Sequence, residues 1–342
     1  MRQLETFISK KFRPDIQGAT LDKDHKTRLT FDNNDLATER PALSCNAICF
    51  GPKKDNVLIN IEHALNKHDD ILIFYYEDIH SRWTYSSSHN ESFFLYKKND
   101  RDLYKIKPAY LYIRGCYIDS KDSYWRILGD FFNFVDIWDG EVLCAPKKQL
   151  PNESKLYQLK NSLIKISKKF QSITIGKSYV VKGLGKYKQL GQDKSYIVKS
   201  LSGIRSIVVD KNSYSNWDYK SIDNIPVLFQ EKVVGNDLRV HVIKGNTFAK
   251  ISYSKANIDY RYDKGFFNLC EIDNLNNELA KFCVDVSKEE ENEMLGIDFI
   301  KTNTGYVVLE ANPSPGWSAY YPHDGITINP FLKKLISVLK GD

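Results

Sequence analysis

Two carboxylates and one amide near the C-terminus are spaced to share a cation. In LGIDFIKTNTGYVVLEAN, alternating apolar segments flank Asn303, Thr304 and Gly305, so a hairpin brings them side by side. A tight turn centred on Thr304 sets Thr302 opposite Tyr306, Ile300 opposite Val308 and Asp298 opposite Glu310. Side chains alternate along a strand, so Asn312 shares the face of Glu310. Opposed positions lie roughly 4.5–5.5 Å apart at Cβ, and two carboxylates that close repel unless something positive sits between them. Two carboxylates and an amide oxygen suit Mg²⁺, or Mn²⁺, bridging substrate phosphates. A general acid/base pair and an exposed hairpin with chance acids are the alternatives. The extra Asn312 and the apolar run at 307–309 favour the metal.

A second hairpin supplies the counter-charge. In DLRVHVI, Leu238, Val240 and Val242 point one way, while Asp237, Arg239 and His241 point the other. The planar donors of Arg239 match phosphate or oxyanion oxygens. His241 reads as a polar residue with its hydrogen bonds met rather than as a catalyst. Arg114, in YIRG at the end of a strand, is the candidate in the N-terminal half for a substrate carboxylate. No GxSxG-like elbow offers a serine nucleophile.

Strands must hold these groups, and the chain supplies them in two styles. CNAICFG, DILIFYYED and YLYIRGCYI read as strands separated by amphipathic helices, DNVLINIEHALNKH and SYWRILGDFFNFV. That rhythm predicts a small, mostly parallel α/β sheet up to about residue 145. ESKLYQLKNSLIKISKKF predicts a helix, SYVVKG and SYIVKSLSG predict strands, and SIDNIPVLFQEKVVGND reads as a hinge into the last third. LRVHVI and TFAKISYS flank Lys244, Gly245 and Asn246 in the first hairpin, so the last third is antiparallel. The expected divisions are an extension over 1–43, an α/β domain over 44–145, a central lobe over 146–228 and a catalytic lobe over 229–342. The aromatic strands carrying Phe74, Tyr75, Tyr76, Tyr110 and Tyr112 are expected to shape part of an acceptor site.

Composition narrows the class. The 342 residues are 42% hydrophobic and 27% charged, the balance of a soluble globular protein. The longest apolar or aromatic run near the front, residues 71–76, is too short to span a bilayer, and the N-terminus lacks a signal-like apolar core. Six scattered cysteines without CxxC spacing read as reduced, mostly buried thiols of a cytoplasmic protein. Residues 146–200 carry thirteen Lys against two acids, about +11, which suits a nucleotide triphosphate, nucleic acid or an acidic peptide. Those lysines are not interleaved with aromatics, so nucleic acid is disfavoured.

Taken in order, KLYQLK (155–160), IVKSLSG (197–203), QEKVVGNDLRV (230–240), FFNL (266–269) and LGIDFIKTNTGYVVLEANPSPG (295–316) resemble the ATP-grasp superfamily. The pattern is most similar to ribosomal-protein glutamate ligases and to the graspetide (microviridin-type) ligases that crosslink ribosomally made peptides. The resemblance covers about residue 145 to the C-terminus. It implies an ATP-grasp fold, α/β with an α+β C-terminal part, whose two lobes sandwich ATP. It also implies that Lys155 and Lys199 contact ATP phosphates, and that Gln230, Glu231, Lys232 and Val233 form the interlobe strand that holds adenine. Asp237 matches a nucleotide-binding acid, Asn268 an amide near phosphate and metal, and Asp298, Glu310 and Asn312 the Mg²⁺ ligands. Arg239, assisted by Lys199, takes the catalytic position. The implied activity is ATP-dependent joining of a carboxylate to an amine or hydroxyl through an acylphosphate, on a peptide or small amino-acid-like substrate; a homodimer is a further expectation. Two departures stand out. The segment after Lys199 has only Gly203, where Arg205 is expected to compensate, and Phe266 and Phe267 precede Asn268, where Arg261 is expected to supply the missing charge. A small-molecule kinase on the same fold is the rival, disfavoured because that group carries Lys in place of Arg239.

Overall fold

The computed structural model describes residues 40–65, 70–88, 91–99, 102–115, 124–148, 157–158, 161–182, 195–201, 206–209, 226–253, 269–322 and 328–342. Of the expected site residues, Lys155, Arg205, Arg261 and Asn268 lie outside these, as does nearly all of the 1–43 extension.

The chain separates into two compact units. One comprises residues 1–44 and 74–107, and its described part is an antiparallel meander of β3 (Trp83–Ser87), β4 (Ser92–Lys97) and β5 (Leu103–Ile106). Its core is aromatic: Phe74 stacks on Trp83 at 5.4 Å, and Phe94 meets both edge-on. The 44–145 expectation did not anticipate this meander.

The other unit, residues 45–73 and 108–342, holds three sheets. The first has the order β2-β1-β6-β7 (Ile71–Tyr75, Ala47–Gly51, Tyr110–Ile113, Glu141–Leu143). β1, β6 and β7 run parallel, as the alternation of strands and helices predicts. Helix α1 (Asn56–Leu65) follows β1, and α2 (Tyr124–Asp136) precedes β7. Tyr112 is wholly buried in this unit, as Phe74 and Tyr76 are almost wholly buried in the first, so these aromatics are core rather than walls of an acceptor site.

The second sheet is antiparallel, β11-β10-β12-β9 (Ser206–Val209, Tyr196–Ser200, Val227–Glu231, Ser178–Val181). The segment read as a hinge therefore contributes a full interior strand, β12, before the chain turns at 232–235.

The third sheet is the largest, β15-β14-β13-β16-β17-β8 (Leu269–Glu271, Asn246–Ser252, Asn236–Ile243, Met294–Lys301, Tyr306–Asn312, Ile173–Ile175). Helices α3 (Ser162–Ser167) and α4 (Asn277–Glu289) cover one face, while α5 (Pro330–Lys340) ends the chain. Leu238, Val240, Val242, Ile297, Phe299, Val308 and Ala311 point into the core with Phe282 and Val286 of α4. One face is thus committed to apolar packing, and the alternation of each strand sends its polar residues to the other.

Candidate active site

The polar face of the third sheet carries a charged row across its strands. Backbone register sets Glu271 beside Lys250, Lys250 beside Arg239, Arg239 beside Asp298, and Asp298 beside Glu310. Five strands contribute one charge each. The expected pairing of Asp298 with Glu310 is present, but the hairpin reaches it by another route. Its loop is four residues long, so Lys301 faces Tyr306, Ile300 faces Val307 and Phe299 faces Val308. A bulge at Leu309 then restores the pairing of Asp298 with Glu310. The first hairpin, by contrast, closes more tightly than expected, with Ile243 opposite Asn246 across a two-residue turn.

Each of the two carboxylates has its own cation. Nη1 of Arg239 donates to Oδ2 of Asp298 at 2.6 Å, a direct cross-strand pair. Nζ of Lys199 lies 3.7 Å from Oε2 of Glu310, so β10 of the second sheet reaches the row on the third. Arg239 and Lys199 are almost wholly buried, whereas the carboxylate side chains keep about a quarter of their surface (23% and 25%). The acids therefore keep part of their surface exposed, with the cations buried beside them. Asn312 lies one row over, beside Gly296, and its Oδ1 accepts a hydrogen bond from the Ser314 backbone at 2.9 Å. Asp298, Glu310 and Asn312 thus share one face of the hairpin by register. Their oxygen-only chemistry fits a hard divalent cation.

The other expected residues fall around this row. Gln230 is buried on β12 with Nε2 donating to Ser178 Oγ at 3.4 Å. The backbone N–H groups of Glu231 and Lys232 donate to Lys177 and Ser195, both at 2.9 Å, which carries the ladder to the end of β12. Val233 follows at the turn. Asp237 is half-buried at the start of β13, two residues before Arg239 on the same face.

Arg114 is otherwise engaged. It is buried, its Nε meets Asp55 Oδ2 at 3.2 Å, and its Nη1 donates to the Pro315 carbonyl at 2.8 Å. The same Asp55 caps α1 by accepting from the backbone of Val57 and Leu58. A guanidinium expected to receive a substrate carboxylate is therefore occupied in holding the loop that follows Asn312.

Gln158 escaped notice as a functional residue, although it lies within KLYQLK. Its side-chain amide donates to the Ala311 carbonyl at 2.6 Å and accepts from the Ala311 N–H at 3.1 Å. This fills both backbone bonds of the residue between Glu310 and Asn312. A lone Gln in a lysine-rich stretch of sequence gives no periodic signal of such a contact.

A family model described as a RimK-like ATP-grasp domain matches residues 164–338. A coenzyme γ-F420-2:α-L-glutamate ligase from Methanocaldococcus jannaschii is 28% identical over 104 residues, 30% of this chain and 35% of that protein. The aligned stretch thus spans about a third of the length of that curated relative. Among solved structures, a Chryseobacterium gregarium RiPP-associated ATP-grasp ligase in complex with ADP and a leader and core peptide superposes with a TM-score of 0.69 at 17% identity, covering 86% of this chain and 96% of that one. The ATP-grasp ligase PsnB, complexed with a precursor variant, Mg and ADP, gives 0.66 at 19% identity over 87% and 100% of the chains. At such identities these likenesses are of fold. The family model is more specific: it spans half of the chain and includes every strand that bears Lys199, Arg239, Asp298 and Glu310, so the chain belongs to the RimK-like ATP-grasp family.

Proposed function

We propose that the protein is an ATP-dependent ligase that activates a carboxylate as an acylphosphate and passes the acyl group to an amine or hydroxyl, with a peptide as substrate. The observation that carries this reading is the row Arg239–Asp298–Glu310, closed at its end by Lys199 from the second sheet. Phosphoryl transfer asks little covalent chemistry of a protein; it asks for charge neutralisation and alignment. Arg239 and Lys199 are fixed cations beside two acids, so phosphate oxygens entering the site meet positive charge preorganised by its own counter-ions.

Asp298, Glu310 and Asn312 would hold Mg²⁺, which when bound supplies Lewis-acid neutralisation of the β- and γ-phosphate oxygens. Lys199 sits on a strand next to β12, and the end of β12 with the turn after it, Gln230 to Val233, would meet the base of the nucleotide. Arg239 would meet the transferring phosphoryl group, where its planar donors match the developing charge. Burial pushes the thiols of Cys45 and Cys144 up to about 12, so these two stay protonated and unreactive at neutral pH. The peptide assignment is supported by the peptide-bound ligase with which this fold superposes. Among the described residues no helix is long and apolar enough to cross a membrane, and a cytoplasmic setting belongs to the same proposal.

The test is product analysis with γ-labelled ATP and Mg²⁺. A ligase releases ADP and inorganic phosphate and leaves no label on the acceptor. Label retained on an acceptor would instead identify a kinase.

A further inference from the structure

The guanidinium of Arg239 lies in a slot shaped by its neighbours. The residue is 5% exposed. Nη1 donates to Asp298, and Nε donates to Nε2 of His241 at 3.4 Å. Nη2 lies over Gly296, where an added Cβ would stand only 2.1 Å from it and 2.5 Å from Cζ. Backbone register explains the arrangement. His241 pairs with Gly296 and Gly296 with Asn312, forming a second row beside Arg239, Asp298 and Glu310. Rows on one face lie about 7 Å apart along the strands. The Arg239 side chain spans that step and lays its head in the space that glycine leaves open, against the imidazole.

His241 is held as firmly as its partner. It is fully buried, and its ring meets those of Tyr320, Tyr321 and Phe331 edge-on at 5.2, 5.4 and 5.3 Å between centroids. Burial, and then the Arg239 charge, keep the imidazole well below its ordinary pKa. A neutral imidazole has one accepting nitrogen, which is what a guanidinium N–H needs.

We propose that His241 and Gly296 are positioning residues for Arg239: Nε2 of the imidazole fixes the Nε edge of the guanidinium, and the absent side chain at 296 provides the floor on which it lies. The proposal rests on the ligase reading only for what Arg239 does once placed; the placement stands on geometry. A guanidinium fixed beforehand needs no reorganisation as charge develops, so its loosening lowers turnover rather than ATP binding.

The experiment compares full-length His241→Phe, which keeps an aromatic ring and removes the acceptor, with His241→Gln, which returns an accepting oxygen. Two quantities are read: kcat and KM for ATP in Mg²⁺-dependent ATP hydrolysis, and the Arg239 Nε–H resonance in ¹⁵N-arginine-labelled protein, assigned by its loss in Arg239→Lys. His241→Phe is expected to lower kcat about tenfold or more, with KM changed by less than about twofold. It should also shift or broaden the Nε–H resonance, and His241→Gln should recover much of the loss. In the Arg239→Lys background His241→Phe should have almost no further effect on kcat. A comparable drop in that background, a raised KM with unchanged kcat, or an unmoved Nε–H resonance would overturn the proposal. If His241→Phe does not fold, Gly296→Ala carries the same expectation, and wild-type kcat and resonance in that variant would overturn it. Absence of ATP turnover in the wild type would defeat the ligase reading, while the resonance would still decide the placement of Arg239.

Discussion

Arg239 makes the sharpest forecast at the scale of single residues. Arg239→Ala should lower turnover on the order of 10²–10³-fold, roughly 3–4 kcal/mol, and change ATP affinity much less. Arg239→Lys should recover only part, because a point charge cannot reproduce the fork that meets both Asp298 and His241. An arginine with only a surface role would tolerate both changes with rates unaltered, so steady-state kinetics separates the two. Asp298→Asn and Glu310→Gln together should abolish Mg²⁺-dependent turnover while leaving far-UV circular dichroism unchanged. Each carboxylate is also the partner of a buried cation, Arg239 or Lys199, so removing the two charges should lower the stability of the metal-free protein as well. Retained turnover in the double variant would remove the metal assignment.

The elements show what the sequence discloses and what it hides. Period-two alternation was enough to place Asp237, Arg239 and His241 on one face of β13, because that strand is regular over its full length. The pairing of Asp298 with Glu310 was legible too, although the turn assumed for it was wrong. A longer loop and the Leu309 bulge offset each other, and neither has a residue signature in KTNTGYVVLEAN. Contacts distant in sequence were not legible: Gln158 with Ala311, Lys199 with Glu310 and Arg114 with Pro315 depend on how separate elements meet. Two changes test this scale. Gln158→Ala leaves the buried N–H and carbonyl of Ala311 without partners and should destabilise by about 1–3 kcal/mol in urea titrations. It should also lower activity, because Ala311 lies between Glu310 and Asn312. Gly245 adopts φ of +76° in the two-residue turn between β13 and β14, so Gly245→Ala should cost about 1 kcal/mol in the same titration. A stability unchanged by either substitution would contradict the corresponding contact or turn.

For the whole molecule the forecast is linkage between nucleotide, metal and stability. The row on the third sheet and Lys199 on the second are joined through the Lys199–Glu310 ion pair. A ligand held from both sheets should stabilise the fold by about 2.7 kcal/mol at a hundredfold excess over its dissociation constant. Thermal unfolding with ATP alone, Mg²⁺ alone and both should therefore show the large shift only with both. Equal shifts with and without Mg²⁺ would speak against the site at Asp298, Glu310 and Asn312. The most direct measurement is interception of the activated carboxylate. The full-length protein is incubated with ATP, Mg²⁺, hydroxylamine and a pool of synthetic peptides rich in Asp and Glu, and the peptides are read by mass spectrometry. Attack of hydroxylamine on an acylphosphate forms a hydroxamate and releases phosphate, so peptide hydroxamates should accumulate with ATP and fail to form with Arg239→Ala. ADP formed at the same rate with no hydroxamate on any peptide, but with a phosphorylated product in its place, would contradict the account.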